Sequence, residues 1–135
     1  MAVAGWILDK SAATRVGDLQ YAAQVEAIRE PLYLCPVGEL EQLYSARSGT
    51  DYDRTKAGLR ASFEVVAAPP DLLERALDLQ RRLAHHQGMW HRTPIPDLLI
   101  AEIALHHGLG VVHLDGDFDR IAEVRPLTVR RLSSR

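Results

Sequence analysis

The stretch Val3-Ala4-Gly5-Trp6-Ile7-Leu8-Asp9-Lys10-Ser11-Ala12 decides the fold. An apolar run this short, closed by an acid and a small polar residue, reads as a fully buried first strand, Val3 to Leu8, which delivers Asp9 to its carboxyl end. A second run of this type, Val111 to Leu114, closes on Asp115. Between them the chain alternates. A helix is expected over Asp18 to Glu30, then a strand over Leu32 to Cys35, a helix over Val37 to Ala46 and a charged helix over Asp51 to Phe63. Glu64 to Ala67 reads as a strand. Leu72, Leu73, Ala76, Leu77, Gln80 and Leu83 mark a long amphipathic helix, followed by a loop over Gly88 to Pro94. Pro96 to His107 is an apolar helix, with Pro96 suited to its first turn and Gly108 to its end. A short helix, Phe118 to Glu123, and a last strand, Leu127 to Leu132, complete the pattern. Such alternation favours an α/β fold, a parallel sheet with helices on both faces.

Composition agrees with this class. The 135 residues, 47% hydrophobic and 25% charged, suit one domain spanning 1–135. The single cysteine, Cys35, excludes an internal disulfide and a cysteine-rich zinc site, and its apolar neighbours suggest a buried thiol. No run approaches the ~20 apolar residues of a membrane span, and no signal peptide is recognisable, so the expected location is cytoplasmic. A net charge of −2 does not advertise nucleic-acid binding, although the basic residues are nearly all arginine, with lysine only at Lys10 and Lys56.

Four acids stand where a parallel sheet would gather them at one edge: Asp9, Glu41, Asp97 and Asp115. Ligands of open α/β sheets bind beyond the carboxyl ends of the strands. Acids converging there would repel one another, and a hard divalent cation, Mg²⁺ or Mn²⁺, is the natural counter-charge. Each acid also has a plainer reading. Asp9 could cap the turn Asp9-Lys10-Ser11, and Asp97 sits at a helix start where any acid is favoured. Glu41 could be a solvated helix residue, with Glu39 as its rival. Residues two apart point to nearly opposite sides of a helix, so at most one of the two glutamates faces the site. Asp115, Asp117 and Asp119 lack the glutamate that closes an EF-hand loop. The six histidines show no zinc-site spacing. A phosphoacceptor receiver domain would need paired acids near the first strand and a lysine after a late strand, and neither is present.

Four blocks carry a family resemblance: Ile7-Leu8-Asp9-Lys10-Ser11-Ala12, Leu40-Glu41-Gln42-Leu43-Tyr44-Ser45-Ala46-Arg47, Ile95-Pro96-Asp97-Leu98-Leu99-Ile100-Ala101, and His113-Leu114-Asp115-Gly116-Asp117-Phe118-Asp119-Arg120-Ile121-Ala122. In order and spacing the chain resembles the PIN domains, and within them the VapC-like toxins of bacterial toxin–antitoxin pairs. The resemblance selects Glu41 over Glu39, because the family's acid stands four residues before a small residue followed by Ala, here Ser45-Ala46. Asp9, Glu41, Asp97 and Asp115 then take the places of the family's acidic quartet, with Asp117 a candidate outer participant. Lys10 and His113 depart from the family's usual residues, whereas Ser11 keeps its place and could hold a carboxylate.

The resemblance implies a three-layer α/β/α sandwich around a mainly parallel sheet. It implies a metal-dependent endoribonuclease using Mg²⁺, with Mn²⁺ as substitute. Asp9, Asp97 and Asp115 would be metal ligands, and Glu41 a ligand or the group that orients the attacking water. Arg15, Arg47 and Arg92 are candidates for phosphate contacts. The implied partners are an RNA substrate (tRNA and rRNA among the candidates), a VapB-like antitoxin and a second copy in a homodimer, with operator DNA reached only through the antitoxin. The alternative is a non-catalytic binding module that acts through an antitoxin–operator complex. Exposed apolar positions on the helices Asp18–Glu30 and Asp51–Phe63 would mark the docking groove.

Overall fold

The computed structural model of the chain describes residues 2–13, 18–86, 88, 90–114 and 116–133. Among them, five strands form one sheet: β1 (Trp6–Leu8), β2 (Leu32–Leu34), β3 (Glu64–Val65), β4 (Gly110–His113) and β5 (Val129–Arg131). Their order is β3-β2-β1-β4-β5, and every pairing is parallel. The chain moves outward from β1 through β2 to β3, then crosses back to lay β4 on the other side of β1. Strand order therefore reverses beside β1 and β4, and a crevice opens at the carboxyl ends of strands at such a reversal.

Among the described residues, seven α-helices connect the strands: α1 (Lys10–Ala13), α2 (Leu19–Glu26), α3 (Pro36–Tyr44), α4 (Gly49–Ser62), α5 (Leu72–His86), α6 (Ile95–His107) and α7 (Asp117–Ala122). Alternate strand residues face opposite sides of the sheet, and each side has its own core. Ile7 and Val111 pack with Leu79, Leu83, Ile100, Ile103 and Phe118 of α5, α6 and α7. Trp6, Leu8 and Val112 pack with Ala12, Tyr21 and Val25 of α1 and α2. Helices thus cover both faces, which makes an α/β/α sandwich. No helix among the described residues is long and apolar enough to cross a membrane.

Several boundaries differ from the sequence reading. The first strand begins at Trp6, not Val3: upstream, Ala4 donates its amide to the carbonyl of Gly108 rather than to a neighbouring strand. The helix from Asp18 stops at Glu26, with Pro31 opening the approach to β2. Inside the expected loop before Pro94, Trp90–Arg92 forms a turn of 3₁₀ helix. Where the sequence offered a turn Asp9-Lys10-Ser11, Lys10–Ala13 is a helix whose first bonds run from the amides of Ala12 and Ala13 to the carbonyl of Asp9. Gly108 ends α6 at φ 69°, a conformation that favours glycine. Two residues on, a Cβ at Gly110 would lie 2.5 Å from the Trp6 ring, so β1 and β4 approach closely only because that position is glycine.

Candidate active site

Asp9 leaves the end of β1 and is almost wholly buried, at 4% exposure. Its Oδ2 accepts from the Ser11 hydroxyl at 2.7 Å and from the Ser11 amide at 3.3 Å. The same hydroxyl oxygen accepts from the Leu114 amide at 3.2 Å, and the Asp9 amide donates to the carbonyl of Val112 at 2.9 Å. Asp9 and Ser11 therefore stitch the carboxyl end of β1 to that of β4. The carboxylate that holds this turn therefore also joins two strand ends.

Glu41 comes from α3, which starts at an N-cap Cys35 whose Sγ accepts from the Gly38 amide at 3.4 Å, with Pro36 in the first turn. The Glu41 Oε1 is buried and has no hydrogen-bond partner among the described residues. Burial raises its carboxyl above the ordinary value, the nearby Asp9 charge raises it further, and Lys10 pulls the other way. The Cys35 thiol is pushed up to about 11, chiefly by burial, with Glu41 and Asp9 adding to the effect. Glu39 is oriented differently. Arg60 of α4 grips it in a fork, with Nη2 at 2.8 Å from Oε1, and holds its carboxyl below the usual range.

Asp97 lies in the first turn of α6, 7% exposed, where the helix dipole favours its charge. Pro96, beside it, lines a cleft of about 360 Å³ together with Lys10, Val37, Leu40, Glu41 and Tyr44. The end of β1, the face of α3 and the start of α6 thus converge on one opening. Asp115 and Arg15 lie outside the described residues. Asp117 starts α7, with Arg120 Nη1 3.6 Å from its Oδ1. His113 ends β4 fully buried, its Nε2 3.5 Å from Asp119 Oδ1, and among the described residues neither ring nitrogen makes a hydrogen bond. Arg47 and Arg92 are exposed.

Among the described residues, no three His, Cys, Asp or Glu side chains form a ready metal cage. The donor chemistry nevertheless fits a hard divalent cation. Near the reversal of strand order the Glu41 carboxylate feels the charge of Asp9, and its buried Oε1 has no hydrogen-bond partner among the described residues.

Large exposed apolar residues lie only partly on the two helices singled out from the sequence. Of the large exposed apolar residues, only Leu19 lies on α2 and only Tyr52 on α4. The others are Leu40 and Tyr44 on α3, Leu73 and Leu77 on α5, and Ile95 opening α6. Leu73, Leu77 and Ile95 border a second cleft of about 360 Å³ with Ala76, Leu98 and Leu99. The sequence reading missed Tyr44 and Leu40 because at helical spacing such residues are ordinarily core.

Comparison with known proteins accords with this geometry. The PIN domain family model matches residues 6–124. Ribonuclease VapC17 of Mycobacterium tuberculosis (strain H37Rv) is 56% identical over 122 residues, covering 90% of both chains. Ribonuclease VapC21 of the same strain is 38% identical over 128 residues, covering 88% of this chain and 87% of that one. In fold, the chain matches the crystal structure of VapBC2 from Rickettsia felis bound to a promoter DNA fragment. The TM-score is 0.72 at 12% identity, over 96% of this chain and 99% of the other. VapBC-5 from Mycobacterium tuberculosis matches with a TM-score of 0.67 at 22% identity, over 95% and 98%. The chain belongs to the PIN-domain family and, within it, to the VapC branch.

Proposed function

We propose that this chain is a metal-dependent endoribonuclease, the toxin of a bacterial toxin–antitoxin pair. The observation that carries the reading is the buried, unpartnered Glu41 Oε1 facing the charge of Asp9. A protein keeps such a destabilising pair where function needs it. The relatives named as ribonucleases support RNA as the substrate, tRNA and rRNA among the candidates.

Asp9, Asp97 and Asp115 would hold the ion, Mg²⁺ or Mn²⁺. Bound there, the ion supplies a more acidic water and stabilises charge on the scissile phosphate. Ser11 fixes the Asp9 carboxylate in one orientation, so the ligand does not have to be ordered at binding. Glu41 either joins the ligands or orients the attacking water; in the second role its Oε1 accepts the water's proton, which its raised carboxyl suits.

The partner is proposed to be a VapB-like antitoxin, as in the VapBC structures of like fold, with operator DNA reached only through it. The toxin is proposed to act as a homodimer. Expression of the chain alone should halt bacterial growth, co-expression of the cognate antitoxin should restore it, and the purified chain should cut RNA with Mg²⁺ or Mn²⁺ but not with EDTA. Normal growth at high soluble expression, with no RNA cleavage in either metal, would overturn the proposal.

A further inference from the structure

We infer that Lys10 is a phosphate-binding residue of this site, its ammonium holding an oxygen of the RNA backbone at the acid cleft beside Glu41. The inference rests on the nuclease reading and adds a residue to it. Lys10 stands between the buried Asp9 and its hydroxyl partner Ser11, and it lines the same cleft as Glu41 and Pro96. Its charge reaches the Glu41 carboxylate. Among the described residues, however, it is not consumed by any ion pair, unlike Arg60, Arg75 and Arg125. A lysine neighbouring acids without closing on them is an available positive charge. Its four-carbon stem can run along the apolar side of the cleft formed by Val37, Leu40 and Pro96, leaving the ammonium at the polar end.

The electrostatics ask for such a group. A phosphodiester approaching several carboxylates is repelled, and one divalent ion offsets only part of their charge. Lysine is well suited as a point-charge partner for a single phosphate oxygen. The same ammonium also competes with the metal for the field of the acids. Removing it should therefore weaken RNA binding and tighten metal binding, opposite signs that loss of packing alone would not produce.

The test uses the full chain carrying Asp97→Asn, expected to abolish cleavage, and a fluorescent single-stranded RNA oligonucleotide in saturating Mn²⁺ over a range of salt. Adding Lys10→Met should weaken binding roughly three- to tenfold and lower the salt slope by about 0.7, the loss of one phosphate contact on a single strand. Lys10→Arg should keep both. Mn²⁺ titration without RNA, on chains with Asp97 intact made by cell-free synthesis, should show severalfold tighter binding in Lys10→Met. Matching circular dichroism melts establish that the variants are folded. Unchanged RNA affinity and slope in Lys10→Met would overturn the assignment, and so would unchanged or weaker Mn²⁺ binding. If the Lys10-bearing chain binds no RNA, the nuclease reading falls and this inference with it; if it binds RNA and Lys10→Met binds equally well, only the inference falls.

Discussion

Glu41→Gln should make the metal-free protein more stable while removing its activity. The carboxyl is raised by burial and by Asp9, so the folded state binds its proton more tightly than the unfolded chain does. Ionised Glu41 therefore opposes folding. That loss is absent below the ordinary carboxylate value of 4.5, grows as the pH rises through the raised value, and is complete above it. Glutamine keeps the shape and drops the charge. The group is only half-buried, so solvent screens part of the effect, and a gain of ~1 kcal/mol is expected at pH 7. Unfolding entropies of about 2.1 cal/mol/K per residue mean that each kcal/mol moves Tm by about 3–4 °C in a chain of this size. Thermal melts in EDTA should show Glu41→Gln about 3–4 °C above the parent at pH 7, converging with it near pH 4. Mn²⁺ at about a hundred times its Kd should then stabilise the parent by ~2.7 kcal/mol and the variant by less. A variant that melts below the parent in EDTA at pH 7, or by the same margin at every pH, would refute the reasoning.

Other outcomes follow from the same geometry. Asp97→Asn should abolish RNA cleavage and weaken Mn²⁺ binding by calorimetry at least tenfold, as expected on losing a ligand (~1.4 kcal/mol per tenfold), with Tm unchanged or raised. Glu39→Gln should retain most RNase activity in parallel assays where Glu41→Gln retains almost none, and should lower stability by up to about 1 kcal/mol through its half-exposed partner Arg60. Arg125→Met leaves the buried Glu102 without its forked donor, at 3.0 and 3.2 Å, and keeps only Arg75 at 3.8 Å. It should cost about 3 kcal/mol, or roughly a 10 °C fall in Tm read by calorimetry.

The sheet was legible because parallel strands buried on both faces read as continuous apolar runs, and β1, β2 and β4 each carry one. Strand ends were less legible. Val3 to Gly5 look like more strand, but backbone bonding, here the Ala4 amide turning to the Gly108 carbonyl, and not side-chain pattern, decides where a ladder begins. The 3₁₀ turn at Trp90–Arg92 is held by the Thr93 hydroxyl and amide bonding to the Trp90 carbonyl, a local closure that no hydrophobic period announces. The distribution of exposed apolar side chains was only partly legible for a related reason. The polar helix α4 buries none of its residues and shows little large apolar surface, whereas α3 buries Leu43 and leaves Leu40 and Tyr44 in the open. Helical periodicity identifies an apolar stripe but does not say whether the protein's own core covers it.

At the site, residue types were legible and their environments were not. Sequence spacing alone could not separate Glu39 from Glu41, because the distinction lies in a residue 21 positions away. Arg60 neutralises one of the glutamates in a fork, and nothing among the described residues does so for the buried oxygen of the other. The same holds for Asp9. A cap and a ligand are chemically the same carboxylate, and only the bond from Ser11 and the Leu114 amide behind it reveal that this cap is anchored to the neighbouring strand's end. That anchoring has a consequence for loss-of-function design. Alanine at position 9 removes the acceptor for Ser11 together with the charge, so a failure of the alanine form mixes lost fold with lost chemistry. Asparagine keeps an oxygen for Ser11 and removes only the charge, so any remaining defect in metal binding belongs to the site itself.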